Sequence, residues 1–139
     1  MADSYHFFMA MVPPTATQQE KKWHKAVDGK TGEERWYAYP SPAWARAQDM
    51  LMAHLEPHRP PTPIAGPVVL DVTWCFPCKG KSDGAPHVKK PDTDNLQKGL
   101  KDIMTKLGWW KDDAQVFSEH VTKLYNSIPG IRIDIEELI

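Results

Sequence analysis

Apolar residues at every second position predict the strands of this chain. The alternation runs through residues 5–12, 68–76 and 131–135, and the segment 115–125 also has strand character. In 131–135 isoleucines alternate with charged residues, which indicates a strand with one solvated face. We expect that last strand to lie at the edge of a sheet.

Apolar residues spaced by three and four predict two helices. Ser41 is a favourable N-cap and Pro42 a favourable first helical residue, and the apolar face that follows ends near Glu56. The second helix is expected from about Asn95 to Leu107, with Gly108 as its C-terminal stop.

Turn-forming residues separate these elements. Five prolines between residues 57 and 67 predict a loop, and the glycines and lysines of 77–88 predict a mobile one. A turn-rich sequence at 28–32 predicts a hairpin with strands at 23–27 and 35–39. The hairpin interleaves basic and aromatic residues, a pattern that suits either a half-buried hairpin with a wet face or contact with DNA by charge and stacking.

The order of the elements predicts one α+β domain over residues 1–139, with a mixed β-sheet packed against two main helices on one or both faces. A chain of this length, 41% hydrophobic and 25% charged, can bury a core without crosslinks. Its apolar runs are too short to span a bilayer, and its first residues lack the pattern of a secretion signal. We therefore expect an intracellular protein that does not enter a membrane.

Two cysteines, Cys75 and Cys78, are the only ones in the chain. A structural zinc site normally requires four ligands, and His87 is the only nearby candidate for a third. A redox-active C-x-x-C motif would open a helix, whereas this one closes a strand and contains Pro77. We interpret both cysteines as ordinary residues at a strand end.

Charge is unevenly distributed along the chain. The formal net charge is −1, yet the stretch from Lys79 to Lys111 contains eight lysines and four aspartates. Such a local basic stretch suits a binding site for a polyanion, although a solvated lysine-rich surface explains it equally simply.

Carboxylates within and after this stretch indicate a metal site. Asp92 and Asp94 are two residues apart and would point to the same side of an extended segment, where both could hold Mg²⁺ through oxygen. Asp112 and Asp113 precede the next strand, so a cluster of three carboxylates forms if that strand lies beside the helix start. Lys98, one helical turn after Asp94, could hold a phosphate or orient a water molecule.

The same residues also have structural explanations. Asp94 or Asn95 could cap the second helix, and residues 94–97 have the spacing of a capping box. Lys98 could form a surface ion pair with Asp102, and a turn alone could account for the later aspartate pair.

Taken together, these motifs resemble the RusA family of bacterial and prophage endodeoxyribonucleases, which resolve Holliday junctions. The first motif is KPDTDNLQK at 90–98, Asp102 follows it, and the second motif is GWWKDDAQV at 108–116. The resemblance is close over residues 89–116 and looser over the surrounding elements, and residues 13–66 carry no comparable motif.

The resemblance implies roles for individual side chains. Four residues match the catalytic positions of the family: Asp92, Asp94, Lys98 and Asp113. The three aspartates would hold the metal, which in this family is Mg²⁺, with Mn²⁺ able to substitute. Two further acidic positions match with a less defined role, Asp102 and Asp112.

The resemblance also implies a homodimer that cuts two opposed strands of a four-way DNA junction in the cytoplasm of a bacterial or phage-infected cell. Some relatives have an arginine before the first motif, whereas this chain has Pro91. We therefore expect DNA to be bound by Lys89, Lys90 and Lys101. Two alternatives stay open: a branched-DNA-binding dimer that has lost catalysis, and a metal nuclease that acts on other phage DNA structures.

Overall fold

The computed structural model of this chain describes residues 3–19 and 21–138. It contains six strands and two α-helices in the described part. Their bounds, in chain order, are β1 (Ser4–Met9), β2 (Lys21–Val27), β3 (Glu34–Pro40), α1 (Pro42–Leu55), β4 (Val68–Phe76), α2 (Thr93–Lys106), β5 (Val116–Tyr125) and β6 (Gly130–Glu137). Two short 3₁₀ turns, Glu56–His58 and Asp113–Gln115, follow α1 and precede β5.

Four of the strands form a mixed sheet in the order β1-β6-β4-β5. β4 and β5 are parallel, whereas β6 is antiparallel to both of its neighbours. The predicted α+β fold with a mixed sheet is thus confirmed. The expected edge position of the last strand is wrong, because β6 lies between β1 and β4. Alternation reports which side of a strand faces the core, and it carries no information about the neighbours of that strand.

Both helices pack on one face of this sheet. The inward side chains of β4 pair in register with the isoleucines of β6, Leu70 with Ile135 and Val72 with Ile133, and all four are fully buried. The apolar faces of the helices cover them with Trp44, Ala47, Leu51 and Leu55 from α1, and Leu96, Leu100, Ile103 and Met104 from α2. The opposite face of the sheet is polar, because charged side chains alternate with the buried ones.

The helices begin and end close to the predicted residues. Ser41 caps α1, and its Oγ accepts a hydrogen bond from the Trp44 amide at 3.0 Å. Gly108, at a φ of 85°, reverses the chain just after α2. The two helices approach closely at Gly99, where a Cβ would lie 2.7 Å from the Trp44 ring. No helix in the described part of the chain has the length and apolar character needed to cross a bilayer.

The 77–88 loop, which we expected to be mobile, is tied to the end of β5. Backbone hydrogen bonds join it to Lys123 and Tyr125, and the Asp83 carboxylate accepts bonds from the backbone N–H and the hydroxyl of Ser127. The free edge of β5 offers these backbone groups, which the loop's own composition does not reveal.

The β2–β3 hairpin stands apart from the main sheet as a two-stranded ribbon. Every residue of β3 is exposed, and Trp23 and Trp36 are 63% and 62% exposed. Trp23 pairs with Ala38 and Lys25 with Trp36, so the two tryptophans lie on one face of the ribbon. The half-buried hairpin that was one of the two sequence-based interpretations is therefore wrong, because the hairpin is largely exposed.

Candidate active site

A cleft of about 570 Å³ opens between α2 and the chain leading into β5. Asp94 and Lys98 line it from α2, and Asp113 lines it from the 3₁₀ turn before β5. α2 is the crossover between the parallel strands β4 and β5, which brings it against the edge strand β5. Three of the four expected catalytic residues, from two separated stretches of sequence, thus border one cleft.

The two adjacent aspartates before β5 have different surroundings. Asp112 is the N-cap of the 3₁₀ turn, and its carboxylate accepts a hydrogen bond from the Ala114 amide at 2.8 Å. Gln115 completes a capping box and also donates to the carbonyl of Ile64 at 2.8 Å. A turn thus explains Asp112, while the carboxylate of Asp113 has no hydrogen bond to any other described residue and borders the cleft.

The aspartates at the start of α2 do not serve as caps. Asp92 occupies the N-cap position, but its side chain makes no capping hydrogen bond, and Asp94 already lies in the first helical turn. The alternative in which Asp94 or Asn95 caps the helix is therefore wrong. The two carboxylates were also expected to share one side of an extended segment, which fails because the helix begins at Thr93.

Asp92 borders a second, smaller pocket of about 260 Å³ beside the cleft. Thr15, Thr17 and Lys90 line that pocket, and Asn95 borders both it and the main cleft. Asp92 and Asp94 therefore line two neighbouring pockets, which adjoin at the beginning of α2.

The carboxylates do not converge into a ready-made metal centre. Among residues 3–19 and 21–138, no three His, Cys, Asp or Glu side chains come together as a group that could hold a metal ion. The expected cluster of three carboxylates is thus not assembled in this arrangement. The donor chemistry still fits a hard divalent ion, because Mg²⁺ prefers carboxylate oxygen and retains several waters, so that few protein ligands suffice.

A buried polar network forms the floor of the cleft. Gln97 is only 3% exposed; its Oε1 accepts a hydrogen bond from Trp74 Nε1, and its Nε2 donates one to Glu119, both at 2.8 Å. Lys101 Nζ lies 3.1 Å from the other oxygen of Glu119. Because this ion pair offsets the charge of Lys101, a DNA contact by that lysine would compete with Glu119.

Sequence reasoning missed both Glu119 and Gln97. A signal for Gln97 exists, since it is a polar residue next to Leu96 on the face of α2 that packs into the core. No comparable signal marks Glu119, whose partners are 18 and 22 residues away.

Lys123 of β5 holds the segment before Asp92. Its ammonium donates hydrogen bonds to the carbonyls of Lys89 at 2.5 Å and Pro91 at 2.7 Å. These bonds fix the backbone through which the chain enters α2, and the side chains of Lys89 and Lys90 stay exposed. Lys123 was also missed, because its partners lie 32 and 34 residues away.

Lys98 borders two hollows. Besides the main cleft, it lines a cavity of about 380 Å³ at the base of the hairpin, together with Asp102, Lys21 and Lys106. No ion pair joins Lys98 to Asp102 or to any other residue that the structure describes, so the surface pair considered from the sequence is not formed.

A family model described as Endodeoxyribonuclease RusA matches residues 11–136. The chain belongs to the RusA family. It is similar to the "Crossover junction endodeoxyribonuclease RusA" of Escherichia coli (strain K12), with 40% identity over 57 residues, which cover 40% of this chain and 48% of the relative.

Two further relatives extend the comparison. A "Crossover junction endodeoxyribonuclease rusA" of Lactococcus phage r1t is 36% identical over 73 residues, 52% of this chain and 56% of the relative. An "Uncharacterized protein YqaN" of Bacillus subtilis (strain 168) is 38% identical over 93 residues, 58% of this chain and 65% of the relative. The matches thus span about half to two thirds of these relatives.

Proposed function

We propose that this chain is a metal-dependent endodeoxyribonuclease that resolves four-way DNA junctions by cutting two opposed strands. Membership of the RusA family and the names of two relatives, both crossover junction endodeoxyribonucleases, support the class of reaction and substrate. The observation that carries the proposal is the single cleft that Asp94, Lys98 and Asp113 all line.

The reaction would be hydrolysis of a phosphodiester, leaving a 5′-phosphate and a 3′-hydroxyl. Asp94 and Asp113 would hold Mg²⁺, or Mn²⁺ in its place, with Asp92 contributing from the adjoining pocket. A bound divalent ion lowers the pKa of a coordinated water and neutralises charge on the phosphate. Lys98 would place an ammonium beside the phosphate oxygens, where negative charge increases in the transition state.

Lys98 suits this role because its charge is available. It has no ion pair with any other described residue, in contrast to Lys101, which faces Glu119. An ammonium on α2 without an ion pair among these residues can contact a substrate phosphate without first breaking one.

Cutting two opposed strands requires two active sites. A twofold homodimer would present two such clefts to a junction that is itself roughly twofold, so that paired cuts follow from symmetry. Sedimentation of the protein alone and with junction DNA tests the dimer, and a monomer in both conditions contradicts it.

The experiment compares Asp94→Asn, Asp113→Asn and Lys98→Met with Asp49→Asn, a matched change on the exposed surface of α1. Cleavage of a labelled four-way junction in Mg²⁺ should fall at least a hundredfold in the first three variants and stay unchanged in Asp49→Asn. Junction binding without metal should persist in all four. Wild-type cleavage rates in Asp113→Asn or Asp94→Asn would contradict the site.

The preference of the wild-type protein for one DNA structure over another is tested under the same conditions. A four-way junction, a replication fork and a linear duplex of equal length are compared at equal concentration. Faster cutting of the junction supports junction resolution. Equal or faster cutting of the fork assigns the protein to other branched DNA, and metal-dependent binding without any cutting assigns it to an inactive binding protein.

A further inference from the structure

A basic pocket lies on the other side of the Asp92 hollow from the main cleft. Its volume is about 430 Å³, and Val12, Phe76 and Tyr125 contribute apolar lining. Four lysines also line it: Lys79, Lys81, Lys89 and Lys90. The lining contains no aspartate or glutamate from the described part of the chain.

The four lysines are exposed, and none of them forms an ion pair with another described residue. The one acidic residue of the 77–88 loop, Asp83, bonds to Ser127 and does not line the pocket. The pocket lining therefore carries four lysines and, among the described residues, no carboxylate. Burial first, and then the charges of Lys123 and Lys89, lower the pKa of His87, which is consistent with a positive potential at this place.

Contacts with β4 and β5 anchor the backbone near these lysines. The backbone of His87 donates to the carbonyl of Lys123, and the imidazole of His87 stacks on Phe76 with ring centres 4.1 Å apart. Lys123 in turn holds the carbonyl of Lys89. Because the backbone of this segment is already anchored, binding of a polyanion would not have to bear the cost of ordering it.

Shared lining residues connect this pocket to the candidate active site. Thr15 and Lys90 border both the basic pocket and the Asp92 hollow, and Asn95 borders both that hollow and the main cleft. Lys98 then continues the path to the cavity at the base of the hairpin. The hollows therefore adjoin one another in series, with lysines at one end and the aspartates Asp92, Asp94 and Asp113 in the middle.

We propose that the basic pocket, through Lys79 and Lys81, binds backbone phosphates of the DNA arm next to the cleaved phosphodiester. This inference rests on the proposed function and adds two substrate-binding residues, Lys79 and Lys81, that lie outside the motif stretch 89–116. The site reads no base sequence, since lysine–phosphate contacts position DNA without specifying it.

The test is the double variant Lys79→Asn, Lys81→Gln, which removes both charges and retains polar side chains. Asn is chosen at position 79 because Lys79 has a φ of 41°, a conformation that Asn tolerates better than most residues. The control is Arg46→Gln, Arg132→Gln. Arg46 is exposed on α1, half a turn from Trp44 and Gln48, which line the cavity at the base of the hairpin, and Arg132 lies on the polar face of the sheet.

Binding of a fluorescent four-way junction is measured in Ca²⁺ or without metal at several salt concentrations. Two lost phosphate contacts should reduce the slope of log affinity against log salt by about 1.8, since each contributes about 0.9. Between 50 and 200 mM salt the wild-type affinity should then fall about 12-fold more than that of the variant. The control should keep the wild-type slope, and all proteins should keep the same thermal midpoint.

Cleavage in Mg²⁺ separates this inference from the proposed function. We expect the variant to show a raised KM and an unchanged kcat, because the lysines act on binding outside the reacting centre. A wild-type slope and KM in a folded variant would overturn the basic pocket as a DNA site while leaving the nuclease intact. A wild-type protein that neither cuts nor binds DNA would instead overturn the proposed function, and this inference with it.

Discussion

The polar network beneath the cleft allows a quantitative prediction for Gln97→Leu. Leu has nearly the size of Gln but cannot accept the hydrogen bond of Trp74 Nε1, and Trp74 is only 1% exposed. A buried donor left without a partner costs about 1–3 kcal/mol. The bond lost by Glu119 adds little, because that carboxylate keeps Lys101 and is reached by water. We therefore expect the free energy of unfolding to fall by about 2 kcal/mol.

A double-mutant cycle with Trp74→Phe tests the origin of this loss. Each single variant leaves the other partner buried and unsatisfied, whereas the double variant removes both polar groups. The double variant should therefore be about 1–3 kcal/mol more stable than the sum of the two single losses predicts. The assay is urea unfolding followed by far-ultraviolet circular dichroism, with Gln48→Leu on α1 as a control that should stay within about 0.5 kcal/mol of wild type. Additive losses, or a loss at Gln97 no larger than at Gln48, would refute the network.

Two other predictions concern the pH dependence of stability and the hairpin. Burial lowers the pKa of His87 in the folded protein below its usual 6.5, so the unfolded chain binds the proton more readily and stability is lost as the pH falls below about 6.5. Thermal midpoints between pH 5 and 8 should therefore vary less in His87→Phe than in wild type, and equal curves would contradict this. If Trp23 and Trp36 stack on bases at the branch point, Trp23→Ala, Trp36→Ala should weaken junction binding several-fold more than linear duplex binding in an anisotropy assay. Equal weakening on both DNAs, or none, would exclude stacking at the branch point.

The strands and helices could be predicted because their burial follows local periodicity. The second helix was placed within two residues of its observed start and one of its end, and the strand at 68–76 was correct throughout. What periodicity could not supply was the order of the strands. β6 carries charged residues on one side because that side is the uncovered face of the sheet, and its two edges are both paired.

The contacts that shape the cleft were beyond local reasoning. Lys123 holds the backbone at Lys89 and Pro91, and Glu119 meets Gln97, across separations of 22 to 34 residues. Such pairs form only because β5 runs parallel to β4 with α2 packed along it. These contacts can be predicted only once the order and direction of the strands are known, and the spacing of the motifs does not reveal either.

The adjacent residues Asp112 and Asp113 show most clearly where sequence reasoning stops. A turn and a metal site were competing explanations for the pair, and the structure gives the two carboxylates different surroundings. Asp112 accepts a backbone hydrogen bond and, with Gln115, builds the turn, whereas the carboxylate of Asp113 borders the cleft and bonds to none of the residues that the structure describes. The turn built by one aspartate fixes where the other lies. The second motif is therefore one unit in which a structural residue positions a candidate metal ligand, and the two explanations never excluded each other.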